Sequence, residues 1–244
     1  LTRLVGARPV SVPLDEDLRI TPEAIGERIT KKTRMIIINS PSNPTGSVQT
    51  EEQMRAIAEI ADDEDIALLS DEVYEHFIYR GEHISPARFS DNVITVNAVS
   101  KTYAMTGWRL GYLAARNEAI EQHLKIHQYV QACASSISQA AALEAICGPQ
   151  DCVRQMRDEF MSRRDLLVAG FREMGVDLTE PDGAFYLFPR VGDGDLVASK
   201  LARAGVITVP GSAFGEGGRE HIRISYAASR ANLEEALRRM KDIL

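Results

Sequence analysis

Apolar residues in this chain fall into short solid runs separated by stretches of helical period. Met35-Ile-Ile-Ile-Asn39, Ile66-Ala-Leu-Leu-Ser70, Val93-Ile-Thr-Val-Asn97 and Leu110-Gly-Tyr-Leu-Ala114 each read as a strand, the first compact enough to be buried on both faces. Val10 to Leu14 reads as a shorter extended stretch. Thr21 and Pro22 mark a helix start, with helix to about Thr30. Thr50-Glu-Glu-Gln53 has the form of a capping box and opens a helix to about Asp63. The proline-rich run Ser40 to Gly46 can only be a loop. Strands alternating with helices predict an α/β fold with a mainly parallel sheet.

The later pattern differs. Residues from Asn117 to about Ile146 read as helix, broken by Gly148-Pro149, and Asp151 to about Met174 as a long amphipathic helix. Shorter pieces follow: strands at Ala184–Phe188, Val206–Val209 and His221–Tyr226, and helices at Asp195–Ala204 and Ala231–Ile243. The change of texture places a domain boundary near Gly148, giving 1–148 as a larger sheet domain and 149–244 as a smaller α+β domain.

Composition narrows the function classes. The chain has 244 residues, 44% hydrophobic and 26% charged, the balance of an ordinary globular protein. A formal net charge of -7 argues against a nucleic-acid-binding domain, which needs a basic face. No apolar run approaches the ~20 residues of a membrane helix. Cys133, Cys147 and Cys152 form no disulfide framework, and a cytoplasmic setting is expected. Cys133 reads as a small packed helix residue. His123 and His127 stand at metal-ligand spacing on a helix, but no carboxylate motif accompanies them, so no metal site is expected. Arg163 and Arg164 read as a solvated face.

Three polar features fall at or just past the C-terminal ends of three strands: Asn43, Asp71 and Lys101. In parallel α/β sheets that edge is where ligands bind. A lysine there can form an imine with an aldehyde if its basicity is lowered. A buried carboxylate such as Asp71 needs a cationic partner, and a protonated pyridine nitrogen would serve. Asn43 and Tyr74 could donate to a phenolic oxygen on the same ring. Arg109 follows Lys101 by eight residues and suits a bidentate phosphate contact. Taken singly, each motif has a plainer reading. Asn43-Pro-Thr-Gly46 is a good turn, Asp71 a cap, and Arg223 a surface arginine on an edge strand.

Taken together, Asn43-Pro-Thr-Gly46, Asp71-Glu-Val-Tyr74, Ser100-Lys-Thr-Tyr-Ala-Met-Thr-Gly-Trp-Arg-Leu-Gly-Tyr112 and Arg223-Ile-Ser-Tyr-Ala227 resemble, in order and spacing, the motifs of class I/II aminotransferases. Pro181 to Phe188 and Val209 to Gly215 resemble that family's C-terminal landmarks. The resemblance implies a fold-type-I enzyme dependent on pyridoxal 5′-phosphate. It implies that Lys101 carries the cofactor as a Schiff base and moves the proton, and that Asp71 pairs with the pyridinium nitrogen. It implies that Asn43 and Tyr74 bond the ring oxygen, that Arg109 binds the phosphate, and that Arg223 with Asn43 binds the substrate carboxylate. The expected reaction moves an amino group between an amino acid and a 2-oxo acid, with aspartate or a broad dicarboxylic and aromatic range as substrate. A homodimer is expected.

The chain departs from the family pattern in two places. Ala98 stands three residues before Lys101, where many relatives have serine or glycine, so one phosphate contact is either missing or comes from Ser100 or elsewhere. The upstream arm, phosphate loop and ring-stacking aromatic of the family are not found before Leu1, so a fragment, or upstream residues not represented, is expected. Two alternatives stay open: β-elimination from a sulfur amino acid on the same scaffold, and a non-catalytic piece of such an enzyme.

Overall fold

A computed structural model describes residues 2–244. Strands β1 (Met35–Asn39), β2 (Ala67–Asp71), β3 (Val93–Ala98) and β4 (Gly111–Ala114) form one sheet in the order β1-β2-β3-β4. The first two pairings are parallel, with Asn39 beside Asp71 and Asp71 beside Val96. That register brings the C-terminal ends of β1, β2 and β3 to a common edge. The β3–β4 pairing is antiparallel, because the connection is filled by a single short helix, α3 (Val99–Thr102), and a 3-10 turn (Thr106–Trp108) that reverse the chain.

Helix α1 (Pro22–Gly26) is shorter than the sequence predicts, though Thr21 caps it by accepting from the Ala24 N–H. Helix α2 (Glu51–Asp63) has the expected bounds and a complete Thr50/Gln53 capping box. Its buried face, Met54, Ile57, Ala58 and Ala61, packs with Ile36, Ile38 and Leu68 of the sheet. The other face of β1 is open: Met35 and Ile37 are 41% and 59% exposed, so this strand is not buried on both faces. Strand β4 is also largely exposed rather than buried. No strand forms at Val10–Leu14.

The long helical stretch is two helices, α4 (Asn117–Val130) and α5 (Ser136–Cys147). Ala132 takes a left-handed φ of 63° between them, and Ser135 caps the second. Helix α4 has no buried residue. Its Leu124, Ile126, Tyr129 and Val130, with Ile137 and Leu143 of α5, make an exposed apolar surface.

Helix α6 (Asp151–Glu173) leads to a second sheet of β5 (Tyr186–Leu187), β6 (Val209–Pro210) and β7 (Ile222–Ser225), flanked by α7 (Gly194–Arg203) and α8 (Arg230–Met240). The order is β5-β7-β6, all antiparallel. Arg223 therefore lies on the central strand, not on an edge. Phe160, Leu167, Phe171, Leu187, Ile222 and Tyr226 are among the buried residues of this second core, and Tyr74 and Phe77 from the first half join it.

Two side chains reverse their sequence-based placement. Arg164 is buried, bonded to Asp165 and the Pro181 carbonyl and held over the Tyr79 ring at 4.9 Å. Cys133 is exposed, as are Cys147 and Cys152.

Candidate active site

The turn after β1 is built by side chains of its own neighbourhood. Asn39 accepts the Asn43 N–H at Oδ1 (2.7 Å) and donates through Nδ2 to the Asp71 carbonyl (2.9 Å). One residue thereby ties the Asn43 turn to the end of β2. The turn closes with Ser42 N–H on the Ser47 carbonyl and Gly46 N–H on the Ser42 carbonyl, both at 2.9 Å. The Ser40–Pro41 and Asn43–Pro44 peptide bonds are cis. Gly46 also accepts the Gly183 N–H at 2.8 Å, which anchors the turn to the approach to β5.

Asp71 ends β2 half-buried, its Oδ1 accepting the Val73 N–H at 3.2 Å. The capping reading is thus correct as far as it goes. Burial pushes the Asp71 carboxyl above its ordinary value, and the Glu72 charge adds to this, while the Val73 bond and the nearby Lys101 ammonium pull the other way. Among the described residues no cationic side chain pairs directly with it. Lys101 lies one turn past β3, half-buried in α3.

Tyr74 is buried, and its hydroxyl lies 2.8 Å from that of Tyr186. Burial raises its pKa well beyond the ordinary phenol value. Arg223 reaches across to the first half and donates through Nη1 to Asn43 Oδ1 at 3.0 Å. Its guanidinium lies 4.8 Å from the Tyr186 ring centre and 5.1 Å from that of Phe214. Among the described residues, its buried Nε has no hydrogen-bond partner.

Asn43, Asp71 and Lys101 thus follow the strand ends at one edge of the first sheet, and Arg223 of the second sheet reaches Asn43 there. Arg109 is not drawn into this group: it is exposed, takes a left-handed φ of 52°, and donates to the Thr106 carbonyl at 2.8 Å. Ser100 is half-buried beside Lys101. At Ala98 no side chain caps α3; the Ala98 N–H is taken by Asn97 Oδ1 at 2.7 Å. Just behind Asp71, Glu72, Glu75 and His83 bring ligand-type atoms within 4.8 Å of one another. The buried Glu72 is already engaged by His83 (2.8 Å) and by the Ser85 hydroxyl (2.7 Å).

Sequence reasoning missed Asn39, Tyr186 and Phe214. Asn39 is the polar end of an apolar run. Tyr186 and Phe214 lie inside segments recognised as landmarks but not assigned a role.

The sequence profile of the aminotransferases of class I and II matches residues 1–240. The chain belongs to the class I and II aminotransferase family. A probable aspartate aminotransferase of Methanocaldococcus jannaschii is 47% identical, across 100% of this chain and 67% of that protein. An aromatic-amino-acid aminotransferase of Thermococcus litoralis is 41% identical, across 99% and 65%. Among solved structures, the aromatic aminotransferase of Pyrococcus horikoshii superposes with a TM-score of 0.95 at 42% identity, covering 99% of this chain and 68% of that one. The Thermus thermophilus aspartate aminotransferase with maleate gives 0.92 at 36% identity, covering 99% and 65%. The chain therefore spans about two thirds of the length of these class I and II aminotransferases.

Members of this aminotransferase family depend on pyridoxal 5′-phosphate. The chemistry of the gathered residues fits that group. A half-buried carboxylate without a direct cationic partner suits a pyridinium nitrogen, and a half-buried lysine lies near it.

Proposed function

We propose that this chain carries the cofactor-holding and carboxylate-binding part of a pyridoxal phosphate aminotransferase, which moves an amino group between an amino acid and a 2-oxo acid. The observation that carries the reading is the bond from Arg223 of the second sheet to Asn43, at the edge of the first sheet where Asp71 and the nearby Lys101 stand. Bound pyridoxal phosphate would supply an electron sink for the bond broken at the substrate Cα.

The chain's own residues have distinct tasks in this reading. Lys101 would hold the cofactor through Nζ and, once freed from it, would carry a proton to and from the substrate Cα at that nitrogen. Asp71 keeps the ring nitrogen protonated by placing a carboxylate in a poorly solvated position. Asn43 and Tyr74 donate to the ring's phenolic oxygen. Ser100 and Arg109 hold the phosphate, which requires the exposed Arg109 side chain to leave the Thr106 carbonyl. Arg223, oriented by Asn43, takes the α-carboxylate shared by amino acids and 2-oxo acids.

Aspartate, or a range including dicarboxylic and aromatic amino acids, is the proposed substrate, supported by the names of the relatives. The same names favour transfer over β-elimination. A division into 1–148 and 149–244 belongs to the same proposal, supported by the confinement of each sheet to one of these parts. So does a homodimer, supported by the exposed apolar surface of α4 and α5. A cytoplasmic location is supported by three unpaired, exposed cysteines.

Acceptor dependence tests the reaction class. Product is expected only when an amino acid and a 2-oxo acid are both present. Ammonia released without a 2-oxo acid would replace transfer by elimination.

A further inference from the structure

We propose that Tyr186 is a positioning residue that fixes the direction of the Tyr74 hydroxyl proton and supports the Arg223 guanidinium, so that one side chain aligns the cofactor side and the carboxylate side of the site. This rests on the function proposed above.

The geometry is specific. Tyr186 is buried on β5, and its hydroxyl lies 2.8 Å from that of Tyr74. The rings meet edge to face, 5.6 Å apart at 88°. The Arg223 guanidinium sits over the face of the same Tyr186 ring at 4.8 Å. Register explains the coincidence: Tyr186 pairs with Ser225 on β7, the strand that carries Arg223. Tyr74 arrives from the other half of the chain, 112 residues away.

A phenol hydroxyl has one proton to donate. If Tyr74 spent it on Tyr186, Tyr74 would face the site as an acceptor only. With Tyr186 donating to Tyr74, the Tyr74 proton is free to point into the site, and a chain of two hydroxyls makes it a stronger donor. Tyr186 contributes through Tyr74 and Arg223.

The test uses the full chain loaded with pyridoxal phosphate, reading the pH transition in visible absorbance of the cofactor joined to Lys101. Donation from Tyr74 to the ring oxygen lowers that transition. Tyr186→Phe, which keeps the ring, is expected to raise it by about half to one pH unit. In a Tyr74→Phe background the same change is expected to do nothing further. Succinate, an unreactive dicarboxylate, is expected to bind Tyr186→Phe within about twofold of the parent, and Tyr186→Leu roughly tenfold more weakly, since only the latter loses the ring under Arg223. An unmoved transition in Tyr186→Phe, or an equal shift with and without Tyr74, overturns the proposal while leaving the function intact. Absence of a Lys101 adduct in the parent chain removes the function, and the role of Tyr186 with it.

Discussion

Arg223 donates to Asn43 at 3.0 Å although 180 residues separate them in the chain. The bond joins the central strand of the second sheet to the turn that follows the first strand of the other. In the proposed function, the residue for the substrate carboxylate is thereby oriented by one for the cofactor. Arg223→Lys keeps the charge but loses the planar fork. Apparent affinity for the 2-oxo acid is expected to weaken by roughly 10- to 100-fold, the worth of a hydrogen bond to a charged group. Steady-state kinetics should place the loss in KM; a loss confined to kcat contradicts this role.

Asp71 gives a prediction with a definite sign. Burial raises its folded pKa above 3.8, so the folded chain holds the proton more tightly than the unfolded one. Its contribution to stability is therefore present below 3.8 and is lost as pH rises through the raised value. Asp71→Asn removes the charge and keeps an oxygen for the Val73 N–H. Without cofactor, its Tm at pH 7 is expected to exceed that of the parent, with the gap closing in acid. With cofactor the order of binding is the reverse: Asp71→Asn should hold pyridoxal phosphate more weakly. A less stable cofactor-free variant at pH 7 contradicts the account.

Glu72 behaves oppositely. Burial pushes its carboxyl up, but the bonds from His83 and Ser85 and the His83 charge outweigh burial and hold it below 4.5. It stabilises the fold above 4.5, and this is lost as pH falls through the lowered folded value. Glu72→Gln breaks one side of a buried pair and is expected to cost about 3 kcal/mol at pH 7. Urea unfolding at neutral and acidic pH reads the difference, which should shrink as Glu72 protonates. A pH-independent cost removes the electrostatic explanation.

The sequence displayed much of this framework and hid the rest for physical reasons. Thr50 and Gln53 announced α2 because a capping box is local, satisfied within four residues. Asn43, Asp71 and Lys101 were legible because a parallel sheet sends its strand ends to one edge. The open face of β1 was not, since an apolar run records what a strand can bury, not what lies against it. The break between α4 and α5 rests on a left-handed Ala132, where sequence gives no glycine to mark it. Arg164 looked like half of a surface pair, yet Tyr79 and Pro181 enclose it through contacts made only in the folded chain. Tyr186 escaped for the same reason: both its partners come from other elements.

Gly46 links stability to the site. Its φ is +72°, and an added Cβ would lie 2.4 Å from the Pro181 Cβ and 3.0 Å from the Gly183 carbonyl oxygen. Gly46→Ala is expected to destabilise the chain by about 3 kcal/mol, combining a left-handed penalty with overpacking. Because Asn43 sits on the same turn, cofactor affinity should fall as well. Urea unfolding and a cofactor titration read the two effects; an unchanged midpoint contradicts the tight approach.

The central claim is that Lys101 is the attachment point for pyridoxal phosphate. Incubation of the chain with the cofactor, borohydride reduction and peptide mapping test it directly. A single reduced adduct on Lys101, absent from Lys101→Ala and diminished by prior addition of an amino acid, is the predicted result. A folded chain labelled on other lysines, or on none, contradicts it.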